Sequence, residues 1–201
     1  MFIRSQNLFL RPVWAEDWAD IHTGLADEAV ARHLASVAWP YGEAEARQFA
    51  NQPQHQRYPH FLITRVHDSV EAQPVGCIAL TGESGAGGPR HAALGFWIAR
   101  AHWGKGYASE AARAVLELLP VLGHRRLLAT AFRDNTAAAR VLRKLGFYAT
   151  GQATMATSAA RGARALATIF ALDLAADGNG GCGEREVAKD RSRALASLRA
   201  A

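Results

Sequence analysis

Within a dozen positions of residues 94–119, LGFWIARAHWGKGYASEAARAVLELL, the hydrophobic period changes. His91 to Ile98 is a short run of strand character. From Gly106 onward, Ala108, Ala111, Ala112, Val115, Leu118, Leu119 and Leu122 recur at helical spacing, interrupted by Pro120, which should kink or end the helix. Gly104 and Gly106 flank Lys105 between the two. A strand running through glycines into an amphipathic helix is a unit of the α/β classes. Its junction can also carry chemistry. The first amides of a helix lack internal partners and sit at the positive end of its dipole, and glycines let an anion approach the backbone. The same residues serve equally well as a plain strand-to-helix turn.

The remaining periods complete the order. Leu8-Phe9-Leu10 reads as a short strand stopped by Arg11-Pro12. Trp18, Ile21, His22 and Leu25 form a helical stripe. After the break Trp39-Pro40-Tyr41-Gly42, a second helix over 43–51 carries Ala46, Phe49 and Ala50 on one side. Residues 61–66, 75–80 and 91–98 read as strands of an antiparallel meander, with TGESGAGGPR, residues 81–90, as a flexible loop. A strand follows at 127–132, then a helix at 135–145 with Gly146 in the C′ position, then strands at 147–156 and 164–174. The order β-α-α-β-β-β-α-β-α-β-β predicts an α/β (α+β) fold, a mixed and mostly antiparallel sheet flanked by helices. Composition shifts at Asp177 to a glycine-rich, charge-balanced segment. The domain is therefore expected at 1–176, with 177–201 as a flexible or loosely attached helical tail.

The 201 residues suffice for one domain with a single core. No apolar run approaches the length of a membrane span, and the N-terminus does not read as a signal peptide. Cys77 and Cys182 suggest neither a disulfide framework nor a metal site, and no H-E-x-x-H pattern is present. The expectation is a cytoplasmic protein without a metal. A net charge of +5, without a dense Lys/Arg block, argues against nucleic acid. The excess reads either as attraction of an anionic ligand or as arginine-rich composition.

The loop fails two nucleotide patterns. A P-loop requires Ser or Thr after its lysine, whereas Gly106 follows Lys105. The dinucleotide fingerprint requires a third glycine where Ser109 stands. Its context is more telling. WGKGYA, residues 103–108, follows LGFWI, and NTAAARVLRKLGF, residues 135–147, lies one strand-helix unit later. Together these resemble the GNAT superfamily of N-acyltransferases. The Trp103 variant of the loop, the opening LFLRPVWAEDWADI and the segment WPYGEAEA are similar to the ribosomal-protein N-terminal acetyltransferase (RimJ/RimL-like) subgroup.

The resemblance implies acetyl-CoA as donor, with its pyrophosphate on the amides of Gly104, Lys105, Gly106, Tyr107, Ala108 and Ser109. Its pantetheine arm would lie against the backbone of Trp97 and Ile98. Asn135 would contact the coenzyme, although Asn is also a good helix N-cap. Arg140, Arg143 and Lys144 would meet the ribose phosphate or remain solvated. The acceptor would be an amine, on a protein N-terminus or a small molecule. Three positions at which relatives carry proton-transfer groups hold Ala93, Ala138 and Leu142. No catalytic residue is carried over to them. His91, on the face of Ala93 by strand alternation, and Tyr148 are substitute candidates. The missing groups leave two readings: an enzyme relying on proximity, or a non-catalytic acyl-CoA-binding sensor or interaction module.

Overall fold

The period-two runs form one sheet of eight strands. The computed structural model describes residues 1–35, 37–65, 72–85 and 88–174, so the tail expected at 177–201 lies outside the described residues. In chain order the elements are β1 (Ile3–Arg4), β2 (Leu8–Pro12), α1 (Trp18–Leu25), α2 (Glu28–Ala31), α3 (Glu43–Ala50), β3 (His60–Arg65), β4 (Gln73–Gly85), β5 (Gly88–Ile98), α4 (Tyr107–Leu116), β6 (Arg126–Phe132), α5 (Thr136–Lys144), β7 (Tyr148–Ser158) and β8 (Ala163–Asp173). The strands lie in the order β1-β2-β3-β4-β5-β6-β8-β7, and only β5 and β6 pair in parallel. The mixed, mostly antiparallel sheet flanked by helices is the expected fold.

Side-chain alternation sorts the helices onto two faces. Phe61, Ile63, Ile78, Leu94, Leu127 and Phe170 point to the face covered by α4 and α5, where Ala111, Ala112, Val115 and Leu142 meet them. Leu62, Cys77 and Trp97 point to the other, where Ile21, Leu25, Val30, Ala46 and Ala50 bring α1, α2 and α3 down. The helical stripes seen in the sequence are these buried faces.

The structure corrects three local expectations. Residues 81–90 are not simply a loop. β4 runs to Gly85 and β5 starts at Gly88, pairing Gly82 with Ala92 and Glu83 with His91. The glycine-rich composition marks a hairpin whose cross-strand ladder overrides weak local propensity. α4 ends at Leu116, four residues before Pro120, and a run of turns follows. The one-turn helix α2 and the two-residue strand β1 are too short to show a period. Gly146 does end α5 as expected, with φ of 91° and its N–H on the Arg143 carbonyl at 3.0 Å.

Candidate active site

The parallel pair at the sheet's centre comes apart. β5 and β6 pair only at Ala92–Leu127 and Ala93–Leu128. Beyond these, β5 continues to Ile98 held by β4 alone, and β6 continues to Phe132 held by β8 alone. Ladder alternation tells which backbone groups face this split. Ala99 N–H donates to the Val75 carbonyl at 2.9 Å, which turns Trp97 toward β4 and Leu94, Phe96 and Ile98 toward the split. Arg133 N–H donates to the Leu166 carbonyl at 3.0 Å, which likewise turns Thr130 and Phe132 toward it. The Ile98 carbonyl is already engaged, accepting from the Trp103 indole Nε1 at 2.6 Å. Of the two residues singled out on this strand, Ile98 therefore offers its N–H and Trp97 offers no backbone group. Phe96, which the sequence reading passed over, is the better-placed neighbour.

At the mouth of the split stands the N-terminus of α4. Gly104 and Gly106 have φ of 75° and 82°, and a Cβ on either would meet nothing within 4 Å. Left-handed backbone, not crowding, is what demands glycine there. Gly106 is the N-cap and brings no side chain, and the first intrahelical bond is Glu110 N–H to the Gly106 carbonyl at 3.0 Å. The amides of Tyr107, Ala108 and Ser109 thus precede the helical ladder and have no cap. Lys105 is exposed, and its Nζ donates to the Ala101 carbonyl at 3.0 Å. Tyr107 packs against the core with its ring centroid 6.3 Å from that of His102. The helix is fixed from behind: Glu110 accepts from Ser5 Oγ and Asn7 N–H, each at 2.7 Å. Burial alone would raise the Glu110 pKa, but these hydrogen bonds together hold it below the usual range.

Asn135 caps α5, its Oδ1 accepting from Ala138 N–H at 3.0 Å, so a ligand would have to be met by its Nδ2. Arg140 and Lys144 are exposed on α5, while the Arg143 guanidinium lies 5.7 Å from the Phe170 ring centroid.

The two substitute proton carriers are not brought to the split. His91 lies one residue before the Ala92–Leu127 pair, on the closed side, in a hollow of about 310 Å³ shared with Arg57, Tyr58 and His124. Tyr148 shares a row with Ala93 through Leu128 and Ala171, three strand spacings away, about 14 Å. Its hydroxyl donates to Asp173 Oδ2 at 2.6 Å. Ala93 is half-buried in the ladder, and Leu142 is a core side chain.

On the face of α1 to α3, alternation lines the inner part of the split with Ala93, Gly95, Leu128 and Thr130, and Ala79 of β4 lies beside Gly95. Gly95 is exposed and open above although its strand is central, and Thr130 is exposed too. This floor carries no charge.

A family model described as an acetyltransferase (GNAT) domain matches residues 7–148. The chain belongs to the GNAT acetyltransferase family. Uncharacterized N-acetyltransferase YnaD of Bacillus subtilis (strain 168) is 27% identical over 149 residues, 73% of this chain and 82% of its own length. The crystal structure of a GNAT-family acetyltransferase from Bacillus anthracis matches with a TM-score of 0.71 at 23% identity, over 86% of this chain and 98% of its own. RimL, a ribosomal L7/L12 alpha-N-protein acetyltransferase solved in complex with coenzyme A, gives a TM-score of 0.71 at 21% identity, over 88% and 100%. At these identities the two structures show a shared fold.

Family motifs do not mark every polar group around this GNAT site. His102, on the approach to the glycine loop, has a buried Nδ1 without a partner among the described residues. Burial, then the charges of Lys105 and Arg65, lower its pKa. Its position directly before Trp103 is the one signal the sequence offers. Among the described residues, no group of three or more His, Cys, Asp or Glu could hold a metal ion, and no helix is long and apolar enough to cross a membrane.

Proposed function

We propose that this GNAT domain moves an acetyl group from acetyl-CoA to a primary amine in the cytoplasm. The acceptor is a protein N-terminal α-amine or a small-molecule amine, in the manner of the RimJ/RimL-like subgroup. The observation that carries this reading is the split itself, opening beside an uncapped helix N-terminus. Acetyl-CoA supplies an activated thioester. The amides of residues 104–109, of which 107–109 precede the helical ladder, would bind its pyrophosphate, aided by the helix dipole. The N–H groups of Phe96 and Ile98 would pair with its extended arm, and the Asn135 Nδ2 would add a side-chain contact. Nearer the apex, the Ala93–Leu128 pairing occupies the Leu94 N–H, so the Phe96 N–H is the first on β5 placed to stabilise a carbonyl oxygen as it gains charge.

Among the described residues no acid or base is placed at the apex, so positioning would be the main contribution. Such an enzyme suits an amine that is already partly neutral. An α-amine of pKa about 7.7–8.0 is about one quarter neutral near pH 7.4, against about one part in a thousand for a lysine of pKa about 10.4. A thiol of pKa about 8.5 is a tolerable leaving group unaided. The apolar Ala93, Ala138 and Leu142 also favour a second reading, an acyl-CoA sensor without turnover.

One experiment separates the two: thiol release from acetyl-CoA against a panel of amines and N-terminal peptides, beside calorimetric CoA titration. Binding with turnover supports the enzyme, and binding without turnover across the panel supports the sensor. Removing residues 177–201 is expected to leave CoA affinity within twofold, and a large loss would make the tail part of the site.

A further inference from the structure

The segment from Gly24 to His33 crosses the split on the face of α1 to α3, where the acceptor would enter if the coenzyme arm fills the split. It starts above β5, where a Cβ on Gly24 would lie 2.5 Å from the Trp97 indole. It ends against the turn between β7 and β8. There the Ser158 hydroxyl donates to the Ala31 carbonyl at 3.5 Å, Arg161 Nε donates to the Arg32 carbonyl, and Arg161 Nη2 donates to His33 Nδ1 at 3.2 Å. β5 and β8 stand on opposite sides of the split, so this segment, centred on α2, is a strap over its mouth.

Each end of the strap is tied to an element carrying half of the proposed coenzyme site. Arg100, in the turn leading to Gly104, meets Asp27 at 3.7 Å. Arg161 holds Asp134, the neighbour of Asn135, through two bonds of 2.7 and 2.9 Å. The two ties differ in strength. The Arg100 side chain is 66% exposed, so water screens its pair. The Arg161 side chain is only 10% exposed, and its guanidinium rests 4.3 Å from the Phe132 ring centroid. One residue on the β7–β8 turn therefore fixes the strap to the tip of β6 by charge, hydrogen bonds and ring contact together.

We infer that Arg161 is a positioning residue for the acceptor: it latches residues 27–33 across the split and so sets which amines reach the uncharged floor of Ala93, Gly95 and Thr130. The inference rests on the acetyl-transfer reading of the split. With the strap latched, the amine enters beneath it on a narrow extended end, as a chain-terminal or small amine does. Unlatched, the floor accepts bulkier amines and holds each less well.

The test compares Arg161→Ala and Arg161→Lys in the full chain by hydrogen exchange, CoA calorimetry and acceptor kinetics. In Arg161→Ala, exchange over residues 27–34 should quicken at least tenfold and the acceptor KM should rise at least tenfold. Meanwhile kcat at saturating amine should stay within threefold and CoA affinity within twofold. Discrimination between the best amine of the panel and a bulkier one should shrink, and the lysine variant should recover part of both losses. Unchanged exchange over 27–34, or a fall in kcat with KM unmoved, would overturn the latch. If the alanine variant does not fold, Asp134→Asn carries the same expectations. Absence of CoA binding by the wild-type chain would sink the acetyl-transfer reading and the specificity role with it, while the exchange result would still decide whether the strap is latched.

Discussion

The proposed coenzyme side of the split is built mostly from main chain, with the Asn135 side chain added to it. Its groups are the amides at the start of α4 and the unpaired N–H row of β5, close together in sequence and set by two glycine dihedrals and one ladder. The acceptor side is built from side chains far apart in sequence, such as Arg161 and His33, 128 positions from one another. Backbone geometry is enforced by local stereochemistry, so the first side should tolerate side-chain changes and fail on dihedral ones. The second depends on long-range pairs, so it should respond to single side-chain deletions while leaving the coenzyme site intact.

Asp17→Ala should have the largest effect on stability. Asp17 is buried, accepts from both Arg11 Nη atoms and from Trp14 N–H, and anchors the entry to α1. Removing it strands a mostly buried arginine, at a cost on the order of 3–5 kcal/mol. Thermal unfolding should show that loss, while CoA affinity per folded molecule stays within threefold. A parallel collapse of CoA binding would mean that the two sides are not independent.

Gly106→Val tests the other half. It forces a β-branched residue into φ near 82°, at about 1–3 kcal/mol of strain, with no clash to relieve. CoA affinity should fall at least tenfold, whereas Gly106→Asn, which tolerates left-handed backbone, should stay within a few-fold. Equal losses in the two would point to side-chain bulk and break the main-chain account.

Asn135 divides the same way. Asn135→Ala removes the cap, costing about 1 kcal/mol, and weakens CoA binding. Asn135→Asp keeps the cap and should keep the melting temperature, but it loses the Nδ2 donor and should still bind CoA several-fold more weakly. Full affinity in the aspartate variant would reduce Asn135 to a cap.

Smaller still is the effect of pH. Burial, followed by the charge of Arg161, lowers the pKa of His33, with Asp134 acting in the opposite sense and Arg32 in the same sense as Arg161. Burial also lowers those of His60 and His102. Unfolded imidazoles take up protons near pH 6.5, the folded ones only at lower pH. Their contribution is thus fully present above about pH 6.5 and is lost as pH falls through the lowered values. Melting temperatures at pH 7.5 and 5.5 should differ in that direction, and His33→Asn should narrow the gap. His91→Ala and Tyr148→Phe should change least, leaving the pH–rate profile within twofold.

The proposed coenzyme side is the legible one because its determinants are local. Period, two glycines and an Asn before a helix all lie within short windows, so α4, α5 and their approaches follow from the residues alone. Which backbone groups face the split was not legible. It follows from the ladder partner of Ala99, which turns the backbone of Phe96, and not that of Trp97, toward the split. The strap was not legible either. α2 is four residues long, and the Arg161 contacts have no periodic trace. The extent of the hairpin over 81–90 is not legible because glycine and serine signal a turn but do not reveal how far the paired arms extend into it.

Main-chain amides before α4 are proposed to hold the coenzyme's diphosphate. Isothermal titration of CoA into the wild-type chain and into Gly106→Val tests it most directly. The account predicts saturable one-site binding that weakens at least tenfold in the variant. No heat with the wild-type chain, or the same affinity in both, would contradict it.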